Sequence, residues 1–325
     1  MEDSTNKTIF FYIKSDKKNG YGHLVRQVIL YKYLKKKKIK CFFLNDNLDK
    51  KLAKKLELKV VKFNLEFLLK KKNLNKRLLL IIDRYDISDS LQKKIIKRKI
   101  KFLIFDNINS LKSKFIYSDI AVNIDPSVKK NEYIKRSKNK KIKLLLGNKY
   151  SIIRSGITGN ETQKYNYVIL LGGGDNIKTI KKLILKMQKK IKKKSILIIT
   201  GFINKNLTIK TLNQNKIIIK KYIENPLNYM KKSENLICGG GTVFLESLQH
   251  KINRHVIVTA KNQESIIKYY YKKKFISNLL YSYKNKITNS FISRIVKTKI
   301  NNTKKIKKRF KGEQLVYKEI QKILN

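Results

Sequence analysis

Gly20-Tyr21-Gly22-His23-Leu24-Val25-Arg26 lies between the apolar run Ile9 to Ile13 and the amphipathic stretch Gln27 to Leu34. That order spells a strand, a glycine turn and a helix start, with a histidine at the mouth. Glycine lets a ligand approach the main chain, and the first turn of a helix offers unpaired N–H groups and a positive dipole end. An imidazole in that setting can act on a bound phosphate or activate a water, although the same spacing also suits a tight turn whose histidine merely caps or packs. The chain has three histidines, which gives this one added weight.

Working outward, short apolar runs recur at Ile9 to Ile13, Cys41 to Leu44, Leu78 to Ile82, Phe102 to Phe105, Ile120 to Ile124 and Leu144 to Leu146. Helical patterns lie between most of them, which predicts parallel strands buried on both faces. Ligands in such sheets bind beyond the carboxyl ends of the strands. Polar residues mark those ends, notably Asp83 and Tyr85, then Asp106 and Asn107.

A second series follows at Tyr167 to Leu171, Ile196 to Thr200, Ile217 to Ile219, Leu236 to Cys238 and His255 to Thr259. The expected fold is α/β, with two doubly wound Rossmann-type domains facing a cleft. Residues 1–154 form the first domain, 155–164 a linker and 165–325 the second, which includes an amphipathic tail helix from Gly312 to Leu324.

The second domain carries two glycine clusters at strand ends. Gly172-Gly173-Gly174-Asp175 precedes a helix expected over Thr179 to Ile191, and reads either as a diphosphate cradle or as a flexible turn. Gly239-Gly240-Gly241-Thr242 leads into Glu246, whose carboxylate can accept from both hydroxyls of a ribose or serve as a helix-dipole partner. Asn262 and Gln263 end the strand Val256 to Thr259, and their carboxamides suit sugar hydroxyls, acetamido groups or a uracil edge. His250 and His255 show no partner spacing and read as structural or exposed.

Lys and Arg number 78 against 22 Asp and Glu, a net charge of +56, which taken alone suggests nucleic acid or an anionic membrane. The excess is mostly lysine and is scattered, without the arginine forks or interleaved aromatics of base readout and single-strand binding. Runs such as Lys35 to Lys38, Lys70 to Lys72 and Lys192 to Lys194 are expected at helix ends. No specific nucleic-acid partner is therefore expected, only attraction of anionic small molecules and loose contact with an acidic membrane surface. Cys41 and Cys238 read as reduced core residues. No apolar run reaches the roughly 18 residues of a membrane span, and the first residues lack a signal-peptide core, so a soluble, cytoplasmic protein is expected.

Seven motifs in order carry a family resemblance: GYGHLVR at 20–26, IIDRY at 81–85, FDN at 105–107, LLGNKYSIIR at 145–154, LLGGGD at 170–175, CGGGTVFLES at 238–247 and KNQ at 261–263. Together they resemble the UDP-2,4-diacetamido-2,4,6-trideoxy-β-L-altropyranose hydrolases of pseudaminic acid biosynthesis, which are grouped with spore-coat polysaccharide proteins and are similar to GT-B glycosyltransferases. The resemblance implies release of UDP by water attack at the anomeric carbon, with inversion and without a metal or other cofactor. It implies His23 as general base, with Tyr85 and Asn262 shaping the sugar pocket and Arg154 meeting substrate near the hinge. Gly20, Gly22, Asp83, Gly173, Gly174, Gly240, Gly241, Thr242, Glu246 and Gln263 complete the expected substrate site.

The chain departs from the family where an arginine and an aspartate usually end the first strand, for here stand Tyr12 and Lys14. Asn107 replaces a second aspartate, and Lys251-Ile252-Asn253 replaces a glycine-isoleucine-proline turn. A GT-B glycosyltransferase of surface polysaccharide synthesis is the alternative enzyme, and a non-catalytic polyanion binder the alternative of another class.

Overall fold

A computed structural model describes residues 7–14, 21–46, 48–72, 74, 77–106, 112–154, 162, 164–174, 176–201, 207–298, 304–306 and 310–325. The chain divides into two compact units, one of Met1–Asn19, His23–Ile152 and Phe310–Asn325, the other of Gly20–Gly22 and Ile153–Arg309.

In the first unit, strands β1 (Thr8–Ile13), β2 (Lys40–Phe43), β3 (Leu78–Asp83), β4 (Lys101–Phe105), β5 (Ile120–Asn123) and β6 (Lys143–Leu146) form one sheet in the order β2-β1-β3-β4-β5-β6. Every pairing is parallel. Helices α1 (Gly22–Lys36), α2 (Lys50–Lys55), α3 (Leu65–Lys70), α4 (Asp89–Lys97) and α5 (Lys130–Arg136) make or lie within the crossovers. β3 is buried along its whole length, Leu-Leu-Leu-Ile-Ile-Asp, as a strand covered on both faces must be. Phe10, Tyr12, Leu80, Ile82, Phe102, Ile104 and Tyr133 pack together in the core on one face.

The strand order reverses between β1 and β3, where Ile13 pairs with Asp83. That reversal is the topological switch point at which open α/β sheets bind ligands. It is also where the opening heptapeptide leaves β1, so the sequence carries its histidine to the place the topology leaves open.

The second unit repeats the plan with β7 (Tyr165–Leu170), β8 (Ser195–Thr200), β9 (Lys216–Lys221), β10 (Ser233–Gly239), β11 (Asn253–Val258) and β12 (Asn278–Tyr281). Its helices are α6 (Ile177–Gln188), α7 (Leu227–Lys231), α8 (Thr242–Ser247), α9 (Glu264–Lys272) and α10 (Asn289–Lys297). The parallel sheet runs β12-β11-β10-β7-β8-β9, with its switch point between β7 and β10. Both glycine clusters sit at the carboxyl ends of those two strands.

Three expectations need correction. The edge strand β12, Asn278-Leu279-Leu280-Tyr281, was not foreseen, because four residues with two apolar centres give too short a pattern. α6 ends at Gln188, which leaves Lys192 to Lys194 in the approach to β8 rather than at a helix end; Lys35, Lys36 and Lys70 do close α1 and α3. The tail helix α11 (Gly312–Leu324) groups with the first unit, not the second. Lys7 donates to Asn325, Tyr33 packs edge-on to Tyr317, and Gly312 lies so close to the Ser151 carbonyl that a side chain would collide. An amphipathic pattern specifies that a helix has an apolar face, not which sheet receives it.

Cys41 and Cys238 are buried free thiols, and burial pushes both up to about 12. Among the described residues no helix is long and apolar enough to cross a membrane.

His255, on β11, is a fully buried neutral ring. Nε2 donates to Asn235 Oδ1 at 3.1 Å while Nδ1 accepts from Asn278 Nδ2 at 2.9 Å, an arrangement that needs Nδ1 unprotonated. Burial lowers this histidine from 6.5 to about 3. The unfolded chain therefore takes up a proton below about pH 6.5 that the native site resists until about pH 3. Its stabilisation is complete above pH 6.5 and is lost as the pH falls toward 3. Urea unfolding is expected to show a loss on the order of 2 kcal/mol between pH 7 and pH 5 from this site, absent from His255→Gln. An identical acid slope in the variant would refute the assignment.

Candidate active site

His23 occupies the first turn of α1, whose buried face runs His23, Leu24, Gln27, Val28, Leu30, Tyr31 and Leu34. Helical spacing brings residues three and four apart onto one side. His23, Arg26 and Gln27 are such a set, and all three meet Asp83 at the end of β3.

Asp83 is completely buried, and its four acceptor positions are filled. Oδ1 accepts from His23 Nδ1 at 2.5 Å and from Arg26 Nη2. Oδ2 accepts from Arg26 Nε at 2.5 Å and Gln27 Nε2 at 2.7 Å. Burial alone would raise this carboxyl, but the charges and hydrogen bonds of Arg26 and His23 outweigh it and hold Asp83 far below the usual carboxylate range. Burial would likewise lower Arg26, and Asp83 reverses the shift. An ionised carboxylate can only accept, so the proton of the imidazole resides on Nδ1 and Nε2 is left with its lone pair.

The Tyr85 ring stands edge-on to His23, centroids 4.7 Å apart at 77°. Three expected site residues, His23, Asp83 and Tyr85, are thus brought together, with Gly22 as the first residue of α1. Both Asp83 oxygens are engaged by His23, Arg26 and Gln27 of the protein itself. Gly20 lies outside the described residues, as do Asn107, Asp175 and most of the linker. Asp106 is buried near Tyr133 and Arg136, with burial pushing it up to about 6 against the opposing pull of both.

Sequence reasoning gave Arg26 and Gln27 no role. The signal was present in their spacing from His23, but became readable only once β3 was known to lie beside β1.

In the second unit, Gly172 has φ +106°, a conformation that glycine takes without strain, and Gly173 and Gly174 follow before α6. Gly239 leaves no room beside the Leu171 carbonyl oxygen of the β7 end. Gly239→Ala would force β10 away from β7 and is expected to cost about 3 kcal/mol in urea unfolding. Unchanged stability would contradict the close approach. Gly240 and Gly241 then lead to Thr242 at the start of α8.

Glu246, on α8, is wholly buried and is held by Arg154 rather than exposed for a ribose. Arg154 Nη1 reaches both carboxylate oxygens at 2.9 Å, and the Arg154 backbone N–H donates to one at 3.4 Å. Burial raises this carboxyl and Arg154 opposes the shift. Gln263 is also turned inward. Its Oε1 accepts from the Thr259 backbone N–H at 3.1 Å and sits where a Gly240 side chain would be, so it braces the glycine turn. Asn262 is half-buried in the short turn Lys261–Gln263. His250 is lowered to about 4 by burial and by Arg254, Lys231 and Lys305. Among the described residues no group of three or more His, Cys, Asp or Glu is placed to hold a metal.

Two parallel six-stranded units, each with polar or glycine-rich segments at its switch point, define an α/β chain of the GT-B type. Solved structures with this fold include MurG of Acinetobacter baumannii, at TM-score 0.61 and 10% identity, covering 97% of this chain and 99% of that one. The spinosyn rhamnosyltransferase SpnG complexed with thymidine diphosphate gives TM-score 0.60 and 9% identity, over 98% and 96%. The UDP-GlcNAc 2-epimerase of Methanocaldococcus jannaschii, in complex with UDP-GlcNAc and UDP, gives 0.53 and 14%, over 97% and 99%. At those identities the fold alone is shared.

No protein-family model matches the chain. In sequence it resembles the UDP-2,4-diacetamido-2,4,6-trideoxy-β-L-altropyranose hydrolase of Campylobacter jejuni, with 29% identity over 279 residues, 82% of this chain and 96% of that protein.

Proposed function

We propose that the chain is a UDP-sugar hydrolase that releases UDP from a UDP-diacetamido-trideoxy sugar, in nonulosonic (pseudaminic) acid biosynthesis. The observation that carries this reading is the His23–Asp83 pair, which fixes a buried imidazole with Nε2 ready to accept a proton. Water gives that proton to Nε2 as its oxygen bonds to the anomeric carbon. The C–O bond to the β-phosphate breaks, its electron pair leaves with UDP, and the configuration inverts. Arg26 and Gln27 hold Asp83, and Asp83 stabilises the imidazolium that forms. Tyr85 and Asn262 shape the sugar pocket.

The first unit supplies the base in this reading, and the second, Ile153–Arg309, the nucleotide site. Backbone N–H groups around Gly173, Gly174, Gly240, Gly241 and Thr242 stabilise the charge developing on the leaving diphosphate. Glu246 meets the ribose in this reading, and Arg154, its ion-pair partner, meets the substrate beside it. No step uses a metal. The resemblance to the Campylobacter hydrolase supports the substrate, and the nucleotides bound to the structural neighbours support the nucleotide site.

A glycosyltransferase is the second reading, because MurG and SpnG share the fold. UDP release from the diacetamido sugar in the presence of a chelator, with water as the only acceptor, is the expected result. Turnover that begins only when a sugar or lipid acceptor is added would select the transferase.

A further inference from the structure

Beyond Asp83, the end of β3 continues through Arg84, Tyr85 and Asp86. Side chains alternate along an extended chain. Asp83 meets α1, while the Arg84 guanidinium lies over the Tyr12 ring of β1, 4.2 Å from its centroid. Arg84 Nε and Nη2 donate to Asp86 at 2.5 and 2.9 Å. Asp86 Oδ2 also accepts from Lys14 Nζ at 2.9 Å. Tyr12, Arg84, Asp86 and Lys14 are therefore one interlocked series across the β1/β3 switch point, and Arg84 stands in the chain between Asp83 and Tyr85, both of which meet His23.

The series ends in spare donors. Lys14 is 29% exposed, and its ammonium has two N–H bonds beyond the one given to Asp86. Arg84 is 7% exposed, and its Nη1 meets no acceptor among the described residues. A buried guanidinium N–H left unpaired is unfavourable, which makes it a place where an acceptor gains most. With Nε and one Nη2 N–H committed to Asp86, Arg84 keeps both N–H bonds of Nη1 and the second of Nη2. These donors and the adjustable ammonium of Lys14 suit an acceptor oxygen, and on the proposed UDP-diacetamido sugar the strongest acceptors away from the diphosphate are the acyl carbonyls.

We propose that Lys14 and Arg84 form a subsite for the carbonyl oxygen of an N-acyl substituent on the sugar, and that they set the preference for acylamino sugars. This rests on the UDP-sugar reading of the His23 site. Tyr12 and Asp86 are positioning residues within it, the first by supporting the guanidinium and the second by holding both cations in place.

The test is calorimetric binding in the His23→Ala protein, where substrate stays intact, with and without Lys14→Met. Lys14→Met is expected to weaken the UDP-diacetamido sugar about 10-fold. It should leave UDP alone, and a UDP-sugar with hydroxyls in place of the acylamino groups, within about twofold. Arg84→Met is expected to follow the same pattern, with folding checked by circular dichroism. Because Lys14 is partly exposed, its variant stands even if the Arg84 variant does not fold. Equal weakening of UDP alone would overturn the proposal in favour of a phosphate contact, and no change with any ligand would reduce the series to a structural ion pair. Tighter binding of a UDP-uronate than of the N-acyl sugar would overturn the amide assignment. Loss of the hydrolase reading shows separately, as absent UDP release by wild type while these binding differences persist.

Discussion

His23→Ala is expected to lower kcat for UDP release by about 10³-fold, with KM changed far less. The imidazole is asked to remove one proton from water as the anomeric bond forms, a task typically worth about 10² to 10⁴ in rate. His23 is 8% exposed and directs its Nδ1–H to Asp83, so its removal takes little binding surface from a substrate. The effect should therefore fall on turnover. His23→Gln, which keeps a polar group but no proton acceptor of comparable basicity, should be equally slow. A kcat within tenfold of wild type, measured by coupled UDP detection, would remove His23 from the chemistry.

The second large effect is at Asp83, where activity and stability fall together. Asp83→Ala deletes the acceptor of His23, Arg26 and Gln27 and leaves the part-buried Arg26 guanidinium without its counter-charge. Breaking such a buried pair from one side costs about 3–5 kcal/mol. Asp83→Asn is the more informative variant. It keeps volume, but offers an N–H where Arg26, Gln27 and His23 require an acceptor, and it frees the ring to protonate on Nε2 instead. Its kcat is expected to fall on the order of 10³-fold, with a smaller loss of stability than Asp83→Ala. Denaturant unfolding beside steady-state kinetics separates the two. An Asp83→Asn enzyme with full activity would mean that the tautomer of His23 does not matter.

How much of this the linear sequence discloses depends on the range of the interaction. Ile9 to Ile13 and the ten later apolar runs mark eleven of the twelve strands among the described residues, most clearly the interior ones such as β3, which are apolar because both faces are buried. His23 is legible for a local reason too, since it stands between glycines and a helix start. Asp83 is visible as a strand-end carboxylate, but its partner is not. The contact spans 60 residues and depends on β3 returning beside β1 so that Asp83 comes opposite Ile13. Arg154 and Glu246, 92 residues apart, were each assigned to substrate for the same reason, before their mutual contact could be known. Gln263 is a similar case, because a carboxamide at a strand end does not reveal that its Oε1 turns back onto Thr259.

The departures at Tyr12 and Lys14 gain meaning only with the sheet order. Read alone they are one lost positive charge and one reversed negative charge. Beside β3 they become the ring beneath Arg84 and the partner of Asp86. The arginine missing at Tyr12 and the carboxylate missing at Lys14 have counterparts in Arg84 and Asp86 of the β3 end, a relation no local window contains.

The central claim is that water, activated at His23, attacks the anomeric carbon of a UDP-sugar. Turnover in oxygen-18 water followed by phosphorus NMR tests it most directly. The account predicts UDP whose β-phosphate carries no label, with the new oxygen on the sugar. A label on the β-phosphate, or no UDP at all until an acceptor is supplied, would contradict it.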